Sequence, residues 1–392
     1  VFSRQRYWGE PIPLIHCTNC GVVPVPEKDL PVELPTVKTY EPTGTGESPL
    51  AAISSWVNTT CPRCGGEAKR ETNTMPQWAG SSWYYLRYID PTNSKNLVSP
   101  QKERHWMPVD MYVGGVEHAT RHLIYARFWH KFLYDIGVVS TVEPFARLKN
   151  QGMIAGPGGK KMSKRDPSSI INPDDVIKQH GADAFRTYEM FMGPFEQGGA
   201  WNTDNLVGVQ RFLERVWRLQ EKLGTAQSSK SSKTEEKNIE TLRHKTIKKV
   251  TDDIDSFNFN TAISTLMVFS NALEKQDELS TGTYATLVQL LAPFAPHMSE
   301  ELWHSVLQNK QSIHISPWPS FDDTKLLDRS VTIAVQVNGK VRDEFEVDRT
   351  LSESEILKKA RSRESVQRWV GKATVKREIY VPGKLVNIVT GE

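Results

Sequence analysis

The four cysteines of this 392-residue chain constrain its fold more than any other feature, because they form two pairs with the same spacing. Cys17 and Cys20 form one pair, Cys61 and Cys64 form the other, and a glycine follows each pair. A turn of this kind aims both sulfurs at one point, so two turns supply the ligands of a tetrahedral zinc site. Two disulfides or four free thiols are the alternatives, but the rest of the chain is typical of a reducing compartment. Four thiolates leave no open coordination position, and the sequence therefore predicts a structural zinc ion.

Two later segments have the pattern of a nucleotide site. The first is Gly114-Gly115-Val116-Glu117-His118, and the second is the basic loop Lys160-Lys161-Met162-Ser163-Lys164-Arg165, which follows glycines at 156, 158 and 159. Backbone N–H groups of glycine-rich loops close around phosphate, and lysines supply charge to the oxygens of departing pyrophosphate. A lysine-rich turn alone is more often a solvated surface loop. The order of the two segments favours ATP chemistry.

Composition bounds the class of protein. With 392 residues and 38% hydrophobic content, the chain is long enough for two to four domains. It has no apolar run near the roughly 20 residues that span a bilayer, and its first residues lack the apolar core of a secretion signal. A net charge of +3 permits nucleic-acid binding without requiring it. Because the chain starts at Val1 inside a strand-like run, we expect it to be a segment of a longer protein.

The hydrophobic periodicity predicts three kinds of architecture. A strand at 109–113, a helix at 117–137 and a strand at 148–155 suit a parallel α/β sheet that binds ligands at the carboxyl ends of its strands. Four amphipathic segments, at 204–223, 238–256, 260–277 and 281–308, predict a helical bundle with a polar break at 225–237. Alternating residues from Val331 to Val347 around Asn338-Gly339 predict a hairpin, followed by a helix at 352–370 and a closing segment at 376–389.

Together these residues resemble the C-terminal half of a bacterial-type or organellar leucyl-tRNA synthetase, a class I aminoacyl-tRNA synthetase. The resemblance covers essentially the whole chain, and its motifs occur in the family's order: SRQRYWGEP at 3–11, ETNTMPQWAGS at 71–81, GGVEH at 114–118, YARFWHKF at 125–132, KMSK at 161–164 and HMSEELW at 297–303.

The resemblance implies a multidomain fold that contains half of an α/β nucleotide-binding, Rossmann-type domain. Residues 1–16 would re-enter this catalytic domain, 17–70 would form the inserted zinc-binding module, and 71–170 would complete the catalytic half with its KMSK loop. Residues 171–202 would be a linking region. An α-helical anticodon-binding bundle would follow at 203–325, and a small C-terminal α+β tRNA-binding domain at 326–392.

The resemblance also implies the site residues of an enzyme that activates leucine with ATP and Mg²⁺ and transfers it to leucine tRNA. The catalytic residues would be Lys161, Lys164 and His118. ATP would contact Gly114, Gly115, Glu117, Lys161, Met162, Ser163 and Lys164. Leucine would contact Trp78, Ser81, Tyr84, His118 and His122, where the two histidines, four residues apart, are expected on one helical face. Arg4 and Arg6 would guide the tRNA acceptor end, although they could equally be exposed strand charges. Without the preceding glycines, the histidine pair would be a capping or core pair.

Two departures from the family leave alternatives open. Arg165-Asp166-Pro167 replaces the family's continuation after Lys164, and Pro167 is expected to restrict the loop. The family's His-x-Gly-His motif and editing domain do not occur in the 392 residues, so this chain alone is expected to be inactive. The N-terminal half of the synthetase, in a longer chain or a separate subunit, is then an expected partner, and no membrane or DNA partner is expected. The alternatives are a non-catalytic tRNA-binding module and, less favoured, an isoleucyl-, valyl- or methionyl-tRNA synthetase. The expected location is the cytoplasm, with the mitochondrion or plastid as alternatives.

Overall fold

The computed structural model describes residues 3–38, 40–224, 233–326, 330–348, 351–371 and 373–391. The chain divides into two compact units, Val1–Gly152 and Met153–Glu392. Within the described ranges, no helix combines the length and apolar character needed to cross a membrane.

The first unit contains eight short strands and five helices within its described residues. The strands are β1 (Glu10–Pro11), β2 (Leu14–Cys17), β3 (Gly21–Pro24), β4 (Asn58–Thr60), β5 (Glu67–Arg70), β6 (Thr74–Met75), β7 (Tyr112–Val113) and β8 (Leu148–Lys149). The helices are α1 (Ser54–Val57), α2 (Trp78–Ser81), α3 (Tyr84–Ile89), α4 (Pro100–Trp106) and α5 (His122–Asp135).

The cysteines belong to a four-stranded sheet with the order β3-β2-β5-β4. Cys17 ends β2 opposite Gly21, and Cys61 directly follows β4. Ile15, Val23 and Ala68 pack with the buried cysteines in a small core. The sheet thereby brings both cysteine turns to one place, as the spacing predicted.

A second, parallel pairing joins β7 to β8, and α5 lies between the two strands in sequence. The predicted parallel pair is confirmed, but two details of the sequence prediction were wrong. The helix begins at His122 because Arg121 has φ −134° and ψ −102°, and Val116–Thr120 forms a separate 3₁₀ turn. The predicted strand 148–155 is two strands because its halves pair with different partners.

The second unit contains a parallel strand pair, a set of helices and a small sheet. Its strands are β9 (Ile154–Ala155), β10 (Gly199–Ala200), β11 (Ser330–Val337), β12 (Lys340–Asp348), β13 (Val375–Val381) and β14 (Leu385–Thr390). Its helices are α6 (Pro173–His180), α7 (Ala182–Phe191), α8 (Thr203–Arg218), α9 (Lys233–Asp255), α10 (Phe259–Glu274), α11 (Thr281–Leu291), α12 (Pro296–Glu301), α13 (Glu353–Ser362) and α14 (Glu364–Val370).

Helices α7 to α12 share one large apolar core, in which Leu266, Phe269, Tyr284 and Phe294 are fully buried. The four predicted bundle helices are present, but the last one is interrupted. Pro296 lacks the N–H group that a continuous helix requires, and a new helix, α12, begins there and passes into a π-helical turn at Leu302–Val306. Of the predicted polar break at 225–237, residues 225–232 lie outside the described residues, and α9 begins at Lys233.

The C-terminal sheet has the order β12-β11-β14-β13. Asn338 and Gly339 both have positive φ, at 50° and 80°, which is the conformation of the predicted two-residue hairpin turn. Ser352 and Glu355 form the predicted capping box at the start of α13. The single helix predicted at 352–370 is divided at Arg363, whose ψ of 127° is extended.

Candidate functional site

A cavity of about 270 Å³ lies at the carboxyl end of β7. Its walls come from the end of β7, the following glycine turn, the start of α5 and the segment after β8, and they include Val113, Gly114, Gly115, Glu117, His118, His122, Leu123, Leu148 and Gln151. Parallel sheets present ligand sites at this edge because the loops that follow neighbouring strands diverge there. Five of the residues predicted from sequence therefore share one cavity.

The two glycines of the turn have different surroundings. A Cβ at Gly115 would overlap the carboxylate of Glu117, so a side chain at this position would displace Glu117 from the turn. At Gly114 an added Cβ would meet none of the described atoms within 4 Å. The Asn150 side chain donates to the Gly114 carbonyl oxygen at 2.7 Å and fixes the turn. The open side of Gly114 lets a ligand approach the backbone closely.

The two histidines meet although they do not share a helix. His118 lies in the 3₁₀ turn and His122 starts α5, so the predicted single helical face was wrong, because Arg121 interrupts the helix. Their rings are nevertheless 6.2 Å apart, and the Trp78 ring contacts His118 edge-on at 5.7 Å. A tight 3₁₀ turn placed before a helix therefore produces the juxtaposition that one continuous helix was expected to give.

Two polar atoms of the predicted leucine-binding residues are buried without a hydrogen-bond partner among the described residues: His118 Nδ1 and Ser81 Oγ. An unsatisfied buried polar atom costs free energy, on the order of 1–3 kcal/mol, unless a ligand or water completes it. Both residues were predicted to contact substrate. Their orphaned atoms are suited to a polar ligand in this part of the first unit.

Two tyrosine hydroxyls, hydrogen-bonded in series, contact the His122 ring. The Tyr84 and Tyr112 hydroxyls lie 2.8 Å apart, and the Tyr112 hydroxyl is 2.6 Å from His122 Nε2. Burial, followed by repulsion from His118, lowers the pKa of His122, so the ring is neutral at pH 7. Burial and the bond to Tyr84 raise the pKa of Tyr112, which keeps that hydroxyl protonated. A neutral His122 ring can either accept a hydrogen bond from the Tyr112 hydroxyl or donate one to it.

Sequence reasoning missed Tyr112. This residue stacks on Phe145 with ring centroids 3.8 Å apart and connects Tyr84 to His122. The available signal was its position, two residues before Gly114 at the end of a predicted strand. A polar aromatic residue at the carboxyl end of a parallel strand is a candidate ligand or positioning group.

The basic loop belongs to the second unit. The side chains of Lys161 and Lys164 are exposed, and neither forms an ion pair with another described residue, while Met162 and Ser163 are half-buried. Residues Ser163 to Asp166 form a turn in which the Asp166 N–H donates to the Ser163 carbonyl oxygen at 3.0 Å. Lys161 before the turn and Lys164 within it both present their charge to solvent, where an anion can reach it.

The four cysteine sulfurs lie within 4.8 Å of one another, and the Cys17 and Cys64 sulfurs are 3.7 Å apart. Tetrahedral Zn–S bonds of about 2.3 Å require sulfur separations of about 3.8 Å, so this cluster fits the ion. The backbone N–H of Cys64 lowers the pKa of the Cys61 thiol to about 7, whereas the hydrogen bond with Cys64 raises that of Cys20 to about 12. The four sulfurs are therefore close enough to influence one another's protonation.

The arginines predicted to guide an acceptor end lie beside the strand pair β1–β6. Arg4 forms an isolated antiparallel bridge with Thr74, and the Arg6 side chain is exposed. Next to them, the exposed Trp8 ring packs edge-on against Tyr7 at 5.2 Å. The segment combines positive charge with exposed aromatic surface.

Comparisons with known proteins relate this geometry to a family. Residues 1–197 match the tRNA synthetases of class I (I, L, M and V), and residues 236–357 match the anticodon-binding domain of tRNA ligases. Among solved structures, the chain is similar to the agnB2 LeuRS of Agrobacterium radiobacter K84, a leucyl-tRNA synthetase in a ternary complex with tRNA and LeuAMS. The identity is 37% and the TM-score 0.79, covering 100% of this chain and 52% of the other. The chain thus spans about half the length of that protein.

A second similar structure is the Mycobacterium tuberculosis methionyl-tRNA synthetase in complex with methionyl-adenylate. The identity is 16% and the TM-score 0.45, over 59% of this chain and 50% of the other.

Proposed function

Because this chain belongs to the class I tRNA synthetases (I, L, M and V), we propose that it forms part of a leucyl-tRNA synthetase. The observation that carries the leucine assignment is the 37% identity to a leucyl-tRNA synthetase along 100% of the chain. The reaction has two steps. A leucine carboxylate oxygen attacks the α-phosphorus of Mg-ATP and expels pyrophosphate, and a terminal ribose hydroxyl of the tRNA then attacks the leucyl carbonyl and expels AMP.

We assign the adenosine to the cavity at the end of β7. Gly114 leaves room for close approach, and the Glu117 carboxylate at the rim can accept hydrogen bonds from ribose hydroxyls. We assign the triphosphate to the exposed amines of Lys161 and Lys164, with Met162 and Ser163 between them. These lysines stabilise the charge that develops on departing pyrophosphate, so the first step requires positioning and electrostatics rather than a covalent nucleophile.

We assign leucine to the neighbourhood of Trp78, Ser81, Tyr84, His118 and His122. The Trp78 and Tyr84 rings supply apolar surface, while the orphaned Ser81 Oγ and His118 Nδ1 supply polar contacts. A neutral His122 avoids repelling the leucine ammonium group. The hydroxyl chain through Tyr112 fixes the orientation of the His122 ring.

We also propose that the four cysteines bind Zn²⁺. An S₄ site supplies folding free energy and no catalytic step, because it offers no open position. The zinc would hold the sheet of β2 to β5 in shape.

The remainder of the synthetase is proposed as a partner or as the rest of a longer chain. Two features of the first unit support this. The parallel pair β7–β8 has only two strands within the described residues, whereas parallel sheets are ordinarily wide and buried on both faces. In addition, Ile124, Phe128 and Phe132 form an exposed apolar stripe along α5, at the i, i+4, i+8 spacing of one helix face.

We propose that leucine tRNA contacts the helical bundle, the C-terminal sheet and, through its acceptor end, Arg4 and Arg6. Synthetase–tRNA contacts of this kind involve phosphates and shape, so binding should weaken steeply with salt.

One observation favours a second candidate, a non-catalytic tRNA-binding module. The segment Arg165-Asp166-Pro167 adds a carboxylate and a rigid residue beside the lysines that would hold ATP. Such a module would retain the bundle and lose leucine activation.

The deciding experiment is leucine-dependent exchange between pyrophosphate and ATP, run with this chain alone and after adding an N-terminal synthetase half. We expect exchange only in the mixture, with leucine and not with isoleucine, valine or methionine. If exchange is absent in both while leucine tRNA still binds, the non-catalytic module is the better description.

The mixture also tests the role of the loop. Lys164→Ala should lower exchange by about 100-fold, as expected for removal of one transition-state contact, and should leave tRNA affinity unchanged. Lys178→Ala, which removes an exposed lysine from α6, is the matched control. An equal loss of exchange and tRNA affinity in the Lys164 variant would contradict the assigned role.

A further inference from the structure

The basic loop is closed at its base by a serine outside the lysine motif. The hydroxyl of Ser169 accepts a hydrogen bond from the Ser163 N–H at 3.2 Å and donates one to the Asp166 carbonyl oxygen at 2.6 Å. Ser169 is 7% exposed, so these bonds are shielded from water. One hydroxyl therefore joins both ends of the turn that carries Lys164.

The glycine-rich segment closes the other side of the loop. The Gly156 N–H donates to the Lys160 carbonyl oxygen at 2.7 Å, and the Gly159 N–H donates to the Gly156 carbonyl oxygen at 3.0 Å. A Cβ at Gly156 would overlap the Ser169 carbonyl oxygen, which shows that the two backbones are in direct contact. Residues 156–160 and Ser169 thus form a single clasp around the lysine turn.

Pro167 helps to form this clasp because it starts the turn that carries Ser169. It is the first residue of the 3₁₀ turn Pro167–Ser169, where a fixed φ is favourable and the missing N–H costs nothing. The Ser169 N–H in turn donates to the Asp166 carbonyl oxygen at 3.0 Å. The segment that departs from the family's loop therefore places the Ser169 hydroxyl within hydrogen-bonding distance of the Ser163 N–H.

We propose that Ser169 is a positioning residue that holds the Lys161–Lys164 segment in the ordered conformation that binds the triphosphate. The identity of the ligand, the triphosphate of ATP, rests on the proposed function. The ordering of the loop by Ser169 does not depend on that function. A preordered loop raises apparent ATP affinity because only the competent fraction of the protein binds. Leucine, which is assigned to the other unit, should be insensitive to this effect.

The loop itself provides a direct probe, since its lysines and Arg165 are trypsin sites. Limited trypsin digestion of the full chain, followed by peptide mapping, measures how often residues 160–165 open. Ser169→Ala should accelerate cleavage there by about five- to tenfold, as expected for two lost hydrogen bonds of ordinary strength. Ser169→Thr keeps the hydroxyl and should restore protection. Ser362→Ala is the matched control, because Ser362 also donates to a carbonyl oxygen three residues back, in α13.

Pyrophosphate exchange with the added N-terminal half gives the second readout. Ser169→Ala should raise the KM for ATP, in proportion to the loss of the ordered fraction of the loop, and leave the KM for leucine unchanged, whereas a general folding defect would alter both. Gly156→Ala, which displaces the Ser169 backbone, should reproduce the effect if Ser169→Ala does not fold.

The outcomes are separable. Unchanged cleavage in a folded Ser169→Ala protein overturns the clasp. Faster cleavage with an unchanged KM for ATP overturns the positioning role. An inactive wild-type mixture contradicts the proposed function, while the cleavage comparison still decides whether Ser169 orders the loop.

Discussion

The helical bundle and the first unit are stabilised in different ways. In the bundle, side chains from six helices and from the turn after α11, including Phe269, Tyr284 and Phe294, meet in one continuous buried cluster. The first unit has two smaller clusters, one around the cysteines and one around Leu86 beneath α5, and it exposes apolar side chains on α5 itself. Apolar burial is thus concentrated in the bundle, whereas in the unit with the cavity the proposed zinc ligands and the polar contacts carry more of the expected stability.

Removal of the metal should give the largest difference in stability change between the first unit and the helical bundle. Chelation, or Cys61→Ser, should release zinc and unfold the sheet of β2 to β5, because structural zinc contributes on the order of 10 kcal/mol to small domains. Hydrogen exchange should rise in residues 14–70 and remain unchanged in the bundle. Metal content is the control measurement, and a Cys61→Ser protein that retains its full zinc content would contradict the S₄ assignment.

A core truncation should show the reverse pattern. Phe269→Ala removes a fully buried ring from the bundle and should lower its free energy of unfolding by about 3–5 kcal/mol, through lost burial and the cavity left behind. Zinc content and exchange in residues 14–70 should not change. Equal destabilisation of both regions would show that they unfold as one cooperative unit.

The exposed stripe on α5 should matter for association and not for folding. Phe128 is 62% exposed, so Phe128→Ala should change the stability of this chain by less than about 0.5 kcal/mol. If the remainder of the synthetase covers the stripe, the same change should weaken binding of the N-terminal half by about 2 kcal/mol. Trp106→Ala on α4, another exposed aromatic residue of this unit, is the matched control, and equal effects of both variants would place the interface elsewhere.

Local signals in the sequence predicted much of this fold. The Asn338-Gly339 turn, the Ser352 capping box and the convergence of the cysteine pairs each depend on a few neighbouring residues, and all three are present. The start of α6 has the same local character, since Pro173 is its first residue and the Asn172 side chain accepts a hydrogen bond from the Asp174 N–H. Such features can be predicted from the sequence because the interactions that stabilise them involve only a few neighbouring residues.

The errors arose where distant contacts decide the conformation. No local breaker marks Arg121, yet its backbone leaves the helical region and places His118 and His122 on different elements. Tyr112 was missed because its contacts, Tyr84 and Phe145, lie 28 and 33 residues away in sequence. The 3₁₀ turn that begins at Pro167 and the hydrogen bond from the Ser169 hydroxyl were not predicted, and the expected restriction of the loop by Pro167 stays a prediction.

Lowering the pH should destabilise the first unit more than the bundle, and this difference should be smaller than those in the predictions above. The pKa shifts of the titratable groups determine its direction. Burial lowers the pKa of His122 and His130 in the first unit, so the unfolded chain takes up protons first as the pH falls below about 6.5. Stability of this unit should therefore decrease below pH 6.5, by at most about 1.4 kcal/mol per pH unit for each histidine that stays neutral when folded.

In the bundle the corresponding group is a carboxylate. Burial raises the pKa of Glu240, but hydrogen bonds from Arg243, Lys325 and His244 outweigh burial and bring it to about 2. That contribution is present above pH 4.5 and is lost between about 4.5 and 2, so at pH 5.5 the first unit should be weakened while this part of the bundle is not. Hydrogen exchange of zinc-loaded protein at pH 7.5 and 5.5 measures the difference. In His130→Gln the acid response of the first unit should shrink, since the amide does not titrate; an undiminished response would assign the acid sensitivity to other groups.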